Sequence, residues 1–252
     1  MRALLLLAGW LVLTAMGQAE DNGPYLTAAT APNGLAILPP PPVPDSPAAK
    51  ADKAIFLATR KLEGTPRWKL ATDDVTNAPL DRFACALGVQ LDAKRAPALA
   101  HLLDRAGTGE TVNPVKEHYQ DPRPYLGTDA PICEPKTEHL AHNGNYPSGH
   151  TSNGWLEGLI LAELVPDRAT AILARARTYG ESRAICGSHS VSAVQAGYVA
   201  GSAMFAALNG TPAFQRDLDA ARRELTSIGA SAPRPDPAHC AAEAAALAVR
   251  PW

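Results

Sequence analysis

The sequence predicts an all-α protein, a single compact helical-bundle domain, and three observations carry that expectation. Apolar residues recur at helical spacing through most of the chain, no segment shows the alternation of a half-buried strand, and 46% apolar residues come with only 6% aromatics. The 252 residues leave room for a substantial core, and a formal charge of −2 lacks the basic excess that a nucleic-acid partner requires. No nucleic-acid binding is expected.

The elements follow in chain order. Met1-Arg2, the apolar run Ala3–Met16 and the small residues around Gly17-Gln18-Ala19 have the pattern of a cleaved signal peptide over residues 1–19. That run is short for a membrane span, so a periplasmic or secreted protein is expected. Residues 20–48 read as an extended strap, because the prolines of Leu38-Pro39-Pro40-Pro41-Pro42-Val43-Pro44 lack donors and restrict their predecessors. A helical domain is expected over 49–229 and a C-terminal extension over 230–252. Its first helices are Asp52–Leu62 (stopped by Gly64), Arg67–Asp74, Leu80–Leu91, and Arg95–Arg105 with Pro97 in the first turn. Further on come Ser148–Leu164, a helix capped by Asp167 and running to about Tyr179, His189–Leu208, Phe214–Ile228 and His239–Val249. Gly197 and Gly201 would let a neighbouring helix approach closely. Past the leader, the longest nearly apolar run is Ala196–Leu208, too short to cross a bilayer, so no stable membrane insertion is expected.

Four cysteines, Cys85, Cys133, Cys186 and Cys240, suit an exported chain, and no Cys-x-x-Cys spacing points to zinc. Three connectivities are open. Cys133–Cys186 would tie the middle of the chain to the segment after Arg183, and Cys85–Cys240 would anchor the tail.

Three constellations carry chemistry. Lys116 and Arg123-Pro124 fall on a helix end and the turn after it, offering a point charge and a planar fork for phosphate oxygens. Pro147-Ser148-Gly149-His150 opens a helix, where Gly149 admits an anion to unpaired N–H groups, Ser148 adds a hydroxyl that can equally be the cap, and His150 can protonate a leaving oxygen. Arg183 supplies a second fork, and His189, at the start of the small-residue helix, can attack phosphorus. Taken singly, each of these reads as solvated charge, a cap or a structural histidine. His101, His118, His139, His142 and His239 have no comparable context.

Taken together, the ordered pattern Lys-x6-Arg-Pro, Pro-Ser-Gly-His and Ser-Arg-x5-His resembles the class A bacterial acid phosphatases. These belong to the type 2 phosphatidic acid phosphatase superfamily, which shares its site with vanadium haloperoxidases. The likeness covers roughly residues 36–225, through Leu38-Pro39-Pro40-Pro41-Pro42, Arg67-Trp68, Gly144-Asn145-Tyr146 and Ile185-Cys186-Gly187, with 22 residues between Pro124 and Pro147 and 31 between His150 and Ser182. It implies an acid phosphatase/haloperoxidase type of helical bundle. Lys116, Arg123, Ser148, Gly149, His150 and Arg183 would bind phosphoryl oxygens, His189 would be the nucleophile and His150 the general acid and base. Small phosphate monoesters would be substrates and phosphate or vanadate inhibitors. No metal or other cofactor is implied, and homodimers are compatible with the likeness. The expected activity is an exported, metal-independent phosphoric monoester hydrolase acting through a phosphohistidine.

One position departs from the pattern. The family carries an aspartate four residues after the nucleophile, where this chain has Ala193. Ser192, Gln195 or a backbone carbonyl must then orient the His189 ring, or turnover is slowed or lost. A non-catalytic phosphate or phosphoester binder therefore stays open as an alternative, with a vanadium haloperoxidase as a third reading.

Overall fold

A computed structural model describes residues 23–76, 78–249 and 252; the leader expected over residues 1–19 lies outside them. The helices are α1 Gly34–Ile37, α2 Pro47–Thr59, α3 Pro66–Thr76, α4 Pro79–Arg82, α5 Ala84–Leu87, α6 Pro97–Arg105, α7 Gly109–Tyr119, α8 Glu138–His142, α9 Gly149–Leu164, α10 Ala169–Cys186, α11 Val191–Asn209, α12 Pro212–Ile228 and α13 Pro237–Leu247. No strand occurs among the described residues, so the protein is all-α as expected. Proline opens α2, α4, α6, α12 and α13 at the first position, where its missing N–H removes no helical bond.

The bundle is organised around α9, which packs along both α10 and α11. Phe83, Leu99, Leu102, Leu156, Ile160, Leu161, Phe214 and Leu218 are all fully buried in the main core. Backbones meet closely on both sides of α9. A Cβ added at Gly154 would fall 2.2 Å from the Tyr179 ring of α10, and one at Gly201 of α11 would fall 2.6 Å from the Ser152 carbonyl oxygen. The close approach expected of Gly197 and Gly201 is thus against α9. Helix α11 begins at Val191, so it is long and apolar enough to cross a bilayer by length and composition, which corrects the expectation drawn from the shorter run. In this fold its glycine side is packed on α9.

Other boundaries also differ from the sequence reading, among them the first long helix, which is Pro47–Thr59 and not Asp52–Leu62. Leu80–Leu91 is not one helix: it breaks at Phe83, and Gly88, at φ 78°, ends α5. There the Arg168 side chain takes the carbonyls of Cys85 and Ala86, groups a continuing helix would have needed. Asp167 is not the cap of α10, whose preceding residue is Arg168, and α10 runs past Tyr179 to Cys186, carrying Arg183 in its last turn. His189 lies outside α11, one residue before its cap Ser190. The strap is also not wholly extended. The Asn33 side chain caps the short helix α1, and beyond it Leu38 is buried with Val112, Val115 and Tyr146, while Tyr146 donates to the Pro39 carbonyl at 2.5 Å.

Both expected disulfides are present, Cys133–Cys186 and Cys85–Cys240. The second ties α13 beside α5, and Glu243 of α13 pairs with the buried Arg175, which also holds the buried Asp74 at 2.5 Å. Because Gly201 faces backbone rather than a movable side chain, Gly201→Ala is expected to destabilise the protein by about 2 kcal/mol. A denaturant midpoint unchanged from the native protein would show that the two helices are free to move apart.

Candidate functional site

The candidate residues come from three helix ends that point at one another. Ser148 caps α9, its Oγ accepting from the Thr151 N–H, while its own N–H donates to the Ala193 carbonyl of α11 at 3.0 Å. Gly149 and His150 follow as the first two helical residues, whose N–H groups have no acceptor within the helix. Lys116 sits in the last turn of α7 and donates to the Gly144 carbonyl. Three residues past the left-handed Gln120 that ends α7, Arg123 donates to the carbonyls of Asn143 and Ser188, both at 2.8 Å.

Arg183 closes the ring from α10. Its side chain is fully buried and donates through Nη2 to Glu134, while Nε and Nη1 are buried with no hydrogen-bond partner among the described residues. Buried donors left open in this way are rare and call for an acceptor. The neighbouring Ser182 faces the other way, donating to Asp74 at 2.6 Å and accepting from Arg67 at 2.9 Å, so it anchors α10 to α3. Past Cys186 the chain reverses at Gly187, with φ 86°, and delivers Ser188 and His189. The Arg60 guanidinium seals that reversal, donating to the carbonyls of Pro131, Ile185 and Cys186 while lying over the rings of Phe56 and Trp68.

Lys116, Arg123, Gly149, His150, Arg183 and His189 line a single cavity of about 260 Å³, with Glu134 at its edge. Ser148 is wholly buried and does not reach the cavity wall. A second cavity, of about 380 Å³, shares Lys116, Asn143, Gly149 and His150 with the first but not His189. His150 therefore stands between two chambers. Of the histidines without sequence context, His139 also lines the first cavity, whereas His101, His118, His142 and His239 lie outside both.

Burying like charges together sets the electrostatics. Burial, reinforced by Arg123, brings the Lys116 ammonium down to about 7, and burial with Arg183 brings Arg123 to about 10. Crowding by the surrounding protein and then Arg183, Arg82, Arg123 and Lys116 hold the His150 imidazole below its ordinary value, although the residue is itself exposed. His189 is likewise held well below its ordinary value by burial and by Arg123. Both imidazoles are thus neutral in the empty pocket, and its remaining charge is cationic. Such a pocket favours an anion with several acceptor oxygens.

The His189 ring is fixed by a backbone carbonyl. Its Nδ1 lies 2.6 Å from the Asn145 oxygen, which can only accept, so Nδ1 carries the proton and Nε2 keeps a lone pair. Nε2 is 3.1 Å from Arg123 Nη1, which donates to it. Among the described residues neither Ser192 nor Gln195 bonds to the ring: Gln195 is exposed, and the Ser192 N–H donates to Asp52 at 3.0 Å. Ala193 is buried among Leu38, Val115 and Tyr146.

Sequence reasoning passed over the residues that build this support. Asn145 is latched by four bonds: its N–H and Nδ2 donate to the carbonyl and carboxylate of Asp121, Nδ2 also donates to Ser190 Oγ, and Oδ1 accepts from the Ser190 N–H. Glu134 accepts from both Arg183 and Ser188, held there by the disulfide of its neighbour Cys133 to Cys186. The available signals were the place of Asn145 just before the Pro147-Ser148-Gly149-His150 motif and the adjacency of Glu134 to a cysteine.

Comparisons with known proteins identify relatives of this chain. The pattern of the PAP2 superfamily matches residues 98–216. The chain is 41% identical to an acid phosphatase of Zymomonas mobilis over 247 residues, covering 96% of this chain and 94% of the relative. It is 36% identical to a non-specific acid phosphatase of Salmonella typhimurium over 223 residues, 85% of this chain and 89% of the relative. A non-specific acid phosphatase of Providencia stuartii is 35% identical over 212 residues, 81% and 85% of the two chains.

Two measurements check the latch. Nitrogen-selective NMR of the histidines is expected to show His189 protonated at Nδ1, and a proton on Nε2 would overturn the assignment. Asn145→Ala, which strands polar partners in a buried site, is expected to lower stability by about 2 kcal/mol in urea unfolding.

Proposed function

The chain belongs to the PAP2 superfamily, among its bacterial acid phosphatases, and on that premise we propose that it is an exported phosphomonoesterase working through a phosphohistidine without a metal. The observation that carries the proposal is the pair of unpartnered N–H groups on fully buried Arg183, beside Lys116, Arg123 and the open end of α9. A phosphoryl group supplies acceptors for all of them. With its oxygens held there, His189 Nε2 attacks phosphorus and the ester P–O bond breaks. His150 gives its proton to the departing alkoxide. Water then attacks phosphorus, His150 takes a proton from it, the P–N bond breaks and phosphate leaves. The cations and the helix terminus stabilise the charge on the equatorial oxygens throughout, the role a bound metal would otherwise fill.

The empty pocket holds His150 neutral, although it must begin as an acid. A phosphoryl dianion reverses the local field, so the substrate itself raises His150 into the protonated form. Binding therefore takes up protons, and affinity falls as pH rises. The Lys116 ammonium contributes in the same sense, because it is at about 7 when the pocket is empty and the charge it gives up above that pH no longer holds the anion. Calorimetry of phosphate binding near neutrality, in buffers of different ionisation enthalpy, is expected to show net proton uptake. Proton release would contradict this electrostatic account.

Hydrolysis of p-nitrophenyl phosphate in excess chelator is the direct assay. Turnover is expected on the acid side of about pH 7, with His189→Ala inactive and His150→Asn slowed by about 10²–10⁴. No hydrolysis by the native protein between about pH 4 and pH 8 would sink the reading. Ala193 favours one other, a non-catalytic phosphate binder, which tight phosphate or vanadate binding without turnover would establish. Because the Asn145 carbonyl already occupies Nδ1, Ala193→Asp is expected to change kcat by less than about tenfold, against roughly 10⁴ where an orienting carboxylate is truly missing.

Export is supported by the leader pattern and by the pairing of all four cysteines. Nothing in the proposed chemistry calls for a membrane partner: the substrates are small phosphate monoesters.

A further inference from the structure

Helix α9 carries more than a phosphate-binding end. His150, Asn153 and Glu157 follow one another at three and four residues, so they share a face and form a polar stripe roughly 10 Å long. The second cavity lies along that stripe, bordered across the groove by Asn113 of α7. His189 lines only the first chamber and His150 lines both, so the second chamber offers room for a group expelled away from His189 and protonated by His150. Asn153 and Glu157 also border a further cavity of about 420 Å³ walled by Leu80, Leu91 and Leu103.

The polar groups along this groove are only partly engaged. Asn153, itself exposed, uses Oδ1 to accept from Thr108, through both its N–H and its hydroxyl, and its Nδ2 has no partner among the described residues. Glu157 is held from behind by Arg82 at 2.6 Å through Oε2, and Oε1 has no hydrogen-bond partner among the described residues. Asn113 is exposed and its amide is likewise unbonded among them. Amide donors and a carboxylate on two sides of a groove are the complement of vicinal hydroxyls, each of which donates once and accepts. Burial brings the Glu157 carboxyl up to about 7 against the pull of Arg82, and either of its protonation states can bond a hydroxyl.

We propose that Asn113, Asn153 and Glu157 form a leaving-group subsite for hydroxyls, so that monophosphates of sugars and other polyols are the substrates this site favours. The proposal rests on the phosphatase reading above and adds to it the part of the substrate beyond the ester oxygen. The distance from His150 to Glu157 suits a hexose with a hydrogen bond at each end, whereas a plain aryl group meets only the walls. Glu157 and Asn113 act on specificity and touch no reacting atom.

The test is the ratio of kcat/KM for glucose 6-phosphate to that for p-nitrophenyl phosphate, measured for the native protein, Glu157→Leu and Asn113→Ala. Each variant is expected to lower the ratio by about tenfold, the effect of one lost hydrogen bond. The loss should fall on the sugar ester, and added glucose should inhibit the native protein more strongly than either variant. Asn113 is exposed and its side chain bonds to nothing among the described residues, so its variant stays informative if the loss of the Arg82 partner unfolds Glu157→Leu. Hydrolysis of both esters with a ratio unchanged in Asn113→Ala would overturn the subsite alone. A native protein that hydrolyses neither ester would overturn the phosphatase reading, and the subsite with it.

Discussion

Like charges brought together out of water are the constraint that the rest of this structure answers to. Lys116, Arg123 and Arg183 converge on a cavity that also receives the positive end of α9, with Glu134 the one carboxylate at its edge. Unrestrained, these side chains would turn towards solvent. The surrounding polar groups prevent that: Gly144, Asn143 and Ser188 offer carbonyls to Lys116 and Arg123, and Glu134 takes one corner of Arg183. A disulfide pins Glu134 from its neighbouring residue, and Arg60 binds the carbonyls at the end of α10. The helical bundle supplies direction, and this polar scaffold supplies position.

What the sequence made legible was the part of the site with strong local chemistry. Lys116, Arg123, Gly149, His150, Arg183 and His189 were readable because each residue type has a distinct use at a phosphoryl group and the spacings are restrictive. The core was legible through helical periodicity, and the tight packing of α11 through Gly201. Hidden features were those set by backbone. The carbonyl of Asn145 has the same chemistry as every other carbonyl, and only the path of the chain before Pro147 brings it to Nδ1 of His189. The end of α5 at Gly88 is secured by Arg168, some eighty residues away in sequence, taking the carbonyls of Cys85 and Ala86. The full length of α10 was missed because Arg175, Ser182 and Arg183 are polar residues that turn inward, which periodicity reads as solvent-facing.

Ala193 shows how a missing side chain can mislead. Counting from His189, the absent aspartate reads as a lost orienting group, with Ser192, Gln195 or a backbone carbonyl as replacements, and the carbonyl is the one at the ring. Yet His189 precedes α11, so helical spacing from it does not describe what lies beside the ring. Ala193 fills an apolar cluster with Tyr146 and Val115, and its carbonyl receives the Ser148 N–H that positions the start of α9. The residue that stands in the altered position thus shapes the anion site through its backbone.

The dispersal of the three cations along the chain has a consequence for folding. Helices α7, α9 and α10 lie apart in the sequence, and none of them alone gathers the three cations. Only their mutual packing does so. On the proposed function, phosphate would be a ligand of the native topology and not of its parts, and would stabilise the packed state over any species that keeps its helices but has lost their arrangement. In a compartment where phosphate is plentiful, the molecule's own product would act as a chaperone-like reward for correct assembly, at the expense of some occupancy of the pocket.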